Sequence, residues 1–158
     1  MNYIILFNKN SNLFYNQEMK IKRETDYAIR TLLYMSQNHK KIYTVREISK
    51  KILVSREFLL KIIQRLRKSK IIKAKRGIKG GYFLTRKPSE ISLLDVILIF
   101  EGPPAMNLCA IEKRYCNLSN TCSVHHVWVK IRKYAEKNLK KENFEKLSKR
   151  FKKISKLK

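Results

Sequence analysis

Acidic residues are scarce in this chain. Against 37 Lys and Arg there are only 12 Asp and Glu in 158 residues, a formal charge of +25. A charge that large repels itself in the compact state, so a polyanion is the natural partner. Cysteine is equally sparse: three in all, between positions 109 and 122. An odd count precludes a complete intrachain disulfide framework. Residues 1–18 carry an apolar run of four (Ile4 to Phe7) with no basic residue before it, short of the roughly 7–15 apolar residues of a secretory signal. No stretch approaches the roughly 18 apolar residues of a membrane span. These readings place the chain in the cytoplasm, where clustered cysteines bind metal or do redox work. An enzyme finds no support either: there is no nucleotide-binding loop, no nucleophile paired with a base and no acidic pair.

Glycine is also rare, and its placement is informative. Three of the four glycines fall in "RGIKGGYFL" (residues 76–84), where a tight turn or close approach to a phosphate calls for them. Ile71, Ile72 and Ala74 lead into this loop and Tyr82, Phe83 and Leu84 return, which reads as a β-hairpin. Three helical patterns precede it. The first runs from Thr25 to about Asn38, with Ala28, Leu32 and Met35 inward. The second opens at "TVREISKKI", with Thr44 as N-cap and Glu47 as its capping-box partner. The third is capped by Ser55 and buries Leu59, Ile62, Ile63 and Leu66 at i, i+3, i+4 and i+7. Helices two and three are separated by a few residues around Leu53 and Val54, which is helix-turn-helix spacing. The sequence therefore spells a mainly α fold with a small β-hairpin wing: a winged helix-turn-helix domain followed by a long dimerisation helix.

Four segments follow from this reading. Residues 1–18 are an extension that is disordered, untranslated or a folded arm, since Met19 reads as a fresh start. Residues 19–101 are the DNA-binding domain, closed by a short helix from Ser92 to Phe100. Residues 102–123 form a structureless cysteine loop after Gly102, Pro103 and Pro104. Residues 121–158 hold a long helix from Thr121 and a basic tail. The long helix carries Val124, Val127, Trp128, Ile131, Ala135 and Leu139 as one apolar stripe, suited to the same helix of a second subunit. The tail continues with Phe144, Leu147, Phe151 and Ile154 among nine basic and two acidic residues. A membrane-surface or RNA-binding role for that tail would leave the glycine wing unexplained.

Bases in this motif are met by the N-terminal end of the third helix, here Ser55, Arg56, Glu57 and Lys61. Gln64 and Arg65 are placed to reach phosphates, and Thr44 and Arg46 the backbone at the start of helix two. Arg76 and Lys79 flank the wing glycines, where arginine can enter a minor groove and lysine meet phosphate. The thiols Cys109, Cys116 and Cys122 follow C-x6-C-x5-C spacing. Structural zinc favours closer pairs, and gaps of this size suit a loop wrapped around something larger than one ion. Iron–sulfur is the first reading, with zinc, a redox-active thiol set and plain packing as the others. His125 and His126 lie three and four residues beyond Cys122, one helical turn away if the helix begins there.

The order "TDYAIRTLLYM", "VSREFLLKIIQRLRKSKII", "RGIKGGYFL", "ISLLDVI…EG", three cysteines and "CSVHHVW" resembles the IscR and NsrR type of winged helix-turn-helix regulator. The likeness runs from Met19 to about Leu147. It implies a homodimeric transcription factor on palindromic double-stranded promoter DNA, carrying an iron–sulfur cluster that reports cluster supply, nitric oxide or redox state. It also implies Cys109, Cys116 and Cys122 as ligands, with His125 as the fourth in a 2Fe–2S form. In a 4Fe–4S form Asp26 of the "TDYA" string would serve, reaching across from the other subunit. The first cysteine gap is one residue longer than in the usual pattern. A zinc-stabilised or thiol-switch winged-helix repressor without a cluster is the alternative.

Overall fold

The computed structural model describes residues 21–155, with side chains through Arg150; the reading of residues 1–18 lies outside what it describes, as do the side chains of Phe151 and Ile154. Three helices come first: α1 (Arg23–Ser36), α2 (Val45–Ile52) and α3 (Arg56–Lys68). Their inward stripes are the expected ones. Ala28, Leu32, Met35, Ile48, Leu59, Ile62, Ile63 and Leu66 are all essentially inaccessible, each large side chain contributing about 1.5–3 kcal/mol by leaving water. The Thr44 hydroxyl accepts the Glu47 N–H at 3.1 Å, and the Ser55 hydroxyl accepts the Phe58 N–H at 3.3 Å. Both caps satisfy amides that a helix start leaves bare.

The capping box at Thr44 is only half made. Glu47 turns its carboxylate away from the N-cap, taking the Tyr34 hydroxyl at 2.8 Å and the Lys41 ammonium at 2.5 Å. This ties α1 to the start of α2. The Lys41 contact, with Tyr34 helping, outweighs burial and holds the Glu47 carboxyl below its usual range. Tyr34 is pushed up to about 12, by burial first and then by Glu47, and so stays a donor.

Strands β1 (Ile72–Lys75) and β2 (Gly81–Leu84) pair antiparallel from Ile72↔Leu84 to Lys75↔Gly81. Tyr43 docks on the wing as a single bridge to Tyr82, with both N–H···O contacts at 2.8 Å. That docking explains Gly81, where a Cβ would stand 2.5 Å from the Tyr43 carbonyl oxygen. Gly77 turns the tip at φ +102°.

Helix α4 (Leu93–Phe100) starts in a capping box of Ser92 and Asp95. Between it and α5 (His125–Lys141) lies the cysteine segment. The expected structureless loop contains two 3-10 turns, Leu108–Ala110 and Lys113–Tyr115. The long helix begins at His125, four residues later than expected: residues 121–124 form turns, and the Thr121 hydroxyl donates back to the Leu118 carbonyl instead of capping a helix. The chain then returns. The Leu93 N–H donates to the Glu142 carbonyl at 2.7 Å and the Phe144 N–H to that of Ile91 at 3.0 Å. Phe144 is fully buried, and α6 (Phe144–Ser155) packs along α1. Residues 92–142 are thus a closed excursion, clasped at its root.

Candidate functional site

Three surfaces carry chemistry. The first is the reading face. Ser55, Arg56, Glu57, Lys61 and Gln64 are exposed on α3, and Thr44 and Arg46 are exposed at the start of α2. Between the two helices Leu53 takes a left-handed conformation (φ 55°, ψ 57°) with its side chain 85% exposed. Arg76 and Lys79 flank the wing tip, also exposed. A groove of about 510 Å³ runs between α3 and β1, lined by Gln64, Arg67, Lys68 and Lys73 among others. Two of its three cations, Arg67 and Lys68, are neighbours on α3, and the third, Lys73, comes from β1.

Arg65 departs from the phosphate-facing position expected of it. Its guanidinium pairs with Glu24 at 2.9 Å, donates to the Ile99 carbonyl at 2.5 Å and lies over the Phe100 ring, 4.3 Å from the centroid. Those bonds hold the guanidinium against α1 and α4, with 39% of the side chain still exposed.

The second surface is the cysteine segment. All three thiols are free; Cys109 is buried, Cys116 half-buried and Cys122 exposed. Cys122 precedes α5 and does not share a helix face with the histidines. Instead its carbonyl accepts the His125 N–H at 3.3 Å. His125 is 8% exposed, and its Nδ1 has no hydrogen-bond partner, an unspent nitrogen of the kind metal sites use. His126 is exposed. Asp26 lies in the first turn of α1, where the helix dipole favours an acid, and pairs with Arg30 at 2.9 Å. The donor chemistry fits a thiolate-held group. Among the described residues no three Cys, His, Asp or Glu side chains converge closely enough to hold a metal ion.

The third surface is apolar. The single stripe expected on α5 divides in two. Trp128, Ala135 and Leu139 are half-buried, whereas Val124, Val127 and Ile131 are exposed. Tyr134, overlooked in the sequence pattern, extends the exposed row at 71% accessibility.

Across residues 21–150 the sequence matches the Rrf2 family, described as an iron-dependent transcriptional regulator. The chain belongs to this family. Among curated relatives, Protein aau3 of Rhizobium meliloti (strain 1021) is 35% identical over 108 residues, covering 68% of this chain and 70% of that one. The HTH-type transcriptional regulator NsrR of Bacillus licheniformis is 31% identical over 111 residues, covering 69% and 78%. Among solved structures, CymR, the global cysteine regulator of B. subtilis, superposes with a TM-score of 0.66. At 23% identity, over 82% of this chain and 96% of that one, it speaks for the fold alone. This Rrf2 protein is a DNA-binding transcriptional regulator with a winged helix, not an enzyme. No helix among the described residues is long and apolar enough to cross a membrane.

Proposed function

We propose that this Rrf2 regulator is a homodimer that reads a palindromic promoter site and senses iron–sulfur status, nitric oxide or redox state through its cysteine segment. One observation carries the reading: every thiol, together with the unpartnered Nδ1 of buried His125, lies in the same excursion that carries the exposed apolar row of α5. A partner copy covering Val124, Val127, Ile131 and Tyr134 places two heads on one duplex. In such readers the heads stand about one helical turn apart, roughly 34–36 Å.

Cys109, Cys116, Cys122 and His125 would hold the cluster, a 2Fe–2S form being favoured by that imidazole; Asp26 from the partner copy is the alternative fourth ligand, for a 4Fe–4S form. When bound, the cluster supplies a one-electron and nitric-oxide-reactive centre whose potential a histidine ligand raises. The chain's own part is to present soft thiolates on a segment able to close around it. DNA contact falls to Ser55, Arg56, Glu57 and Lys61 in the major groove, Arg76 and Lys79 at the wing, and Thr44 and Arg46 on the backbone. The separation of the thiols favours one second reading, a thiol switch without a metal.

Anaerobic purification tests both. Visible absorption with an iron and sulfide assay, before and after a stoichiometric pulse of nitric oxide, is expected to show a coloured protein that the pulse bleaches. The iron count separates two irons from four. A colourless zinc protein overturns the cluster reading. A colourless, metal-free protein after anaerobic reconstitution leaves the thiol switch.

A further inference from the structure

We infer that Arg65 is a positioning residue that couples the root of the cysteine segment to the DNA-reading helix; the inference rests on the sensing role proposed above. Three contacts converge on this side chain from two other elements. Glu24 of α1 takes one guanidinium nitrogen at 2.9 Å, and the Ile99 carbonyl of α4 takes the other at 2.5 Å. The same group lies over the Phe100 ring, its carbon 4.3 Å from the centroid.

The chemistry of the two α4 contacts is specific. The last four carbonyls of a helix have no partner within it. In α4 the Glu101 and Gly102 N–H groups both return to Ile97, and Arg65 supplies the donor for Ile99. A cation is also favoured at that end by the helix dipole. Arg65 is therefore the C-terminal cap of a helix to which it does not belong. One residue further on, Glu101 does the converse for α1. Its carboxylate accepts the Lys22 N–H at 2.8 Å and the Thr25 hydroxyl, at a helix start where Lys22 offers no side-chain cap of its own.

Gly102, Pro103 and Pro104 follow, and the cysteine segment begins. Any rearrangement that draws Cys109, Cys116 and Cys122 together pulls on the end of α4. The end of α4 is fastened to α3 through Arg65, one helical turn beyond Lys61 on the reading face. A guanidinium makes this joint because it offers two parallel donors and a flat face at once, whereas an ammonium is a point charge. Lysine at position 65 keeps the charge and loses the fork and the stack.

The test compares the full-length wild type with Arg65→Lys and Glu24→Gln, each with free thiols and after alkylation by N-ethylmaleimide. All three cysteines lie in the excursion, so the reagent marks no thiol elsewhere. Two quantities are read: affinity for a duplex selected in vitro from a random pool with the wild type, and amide hydrogen exchange across residues 56–68. In the wild type, alkylation is expected to change affinity on the order of tenfold, within the ordinary range of coupling between sites, and to alter exchange in α3. In both variants the change in affinity is expected to fall below about twofold, with exchange in α3 no longer responding. A merely structural role lowers thermal stability and shifts affinity equally in both thiol states, leaving the ratio at its wild-type value; that result overturns the inference. Wild-type exchange that responds without any change in affinity sinks the sensing role and leaves the joint standing. If neither responds in the wild type, both are overturned.

Discussion

Leu53 is the residue on which local strain is most visible. A non-glycine residue in the left-handed region costs roughly 1–2 kcal/mol, and Leu53, 85% exposed, recovers little of that by packing. Leu53→Gly is expected to raise stability by about 0.5–1 kcal/mol, a shift of a few degrees in thermal midpoint. Calorimetry decides it, and a lower midpoint would mean that the side chain is held by a contact in the dimer. Lys79 offers a second test at this scale. If it meets a phosphate beside the wing, Lys79→Ala weakens binding to all duplexes alike and reduces the slope of log affinity against log salt by about 1. A loss confined to one sequence would instead put Lys79 against a base.

The elements are joined by carboxylates, and this makes their stability depend on pH. The Glu47 carboxyl is held low chiefly by Lys41, against the opposing effect of burial. Glu101 is also held low: burial alone would raise it, but the Thr25 hydroxyl and Lys22 together prevail. A carboxyl depressed in the folded state stabilises it fully above its unfolded value, and that contribution disappears as pH falls through the folded value. Urea midpoints are therefore expected to drop on acidification through and below the ordinary Glu range, and less steeply in Glu47→Gln. Equal slopes would remove Glu47 from the account.

The helices and wing could be read from the chain because their causes are local: caps at Thr44 and Ser55, inward residues at fixed spacing, glycines clustered in one turn. What escaped the sequence has non-local causes. Arg65 looks like one more cation on α3, and its partners lie 41 and 34 positions away. The start of α5 at His125 rather than Thr121 depends on the preceding turns, in which the Thr121 hydroxyl and the Thr121 and Cys122 N–H groups all return to the Leu118 carbonyl. Tyr134 was missed because one stripe was assumed where packing against α4 makes two.

At the scale of the molecule, the exposed row on α5 and the folding back of α6 set what the whole chain can do. An acidic residue at the middle of that row, Ile131→Asp, is expected to shift the protein from dimer to monomer in sedimentation. It should weaken binding to a palindromic duplex far more than to a half-site, because linkage of the two heads is lost. Unchanged sedimentation would move the dimer contact elsewhere. The clasp at Ile91–Leu93 and Glu142–Phe144 has a further consequence. Both ends of the excursion are fastened into the buried core before and after the thiols, so the covalent connection through residues 103–120 is not what keeps α5 and α6 in place. A protease that cuts there leaves two pieces still bound to each other, one retaining the winged helix and the other α5 and α6. Such a nicked protein would migrate as intact under native conditions and as two bands in detergent.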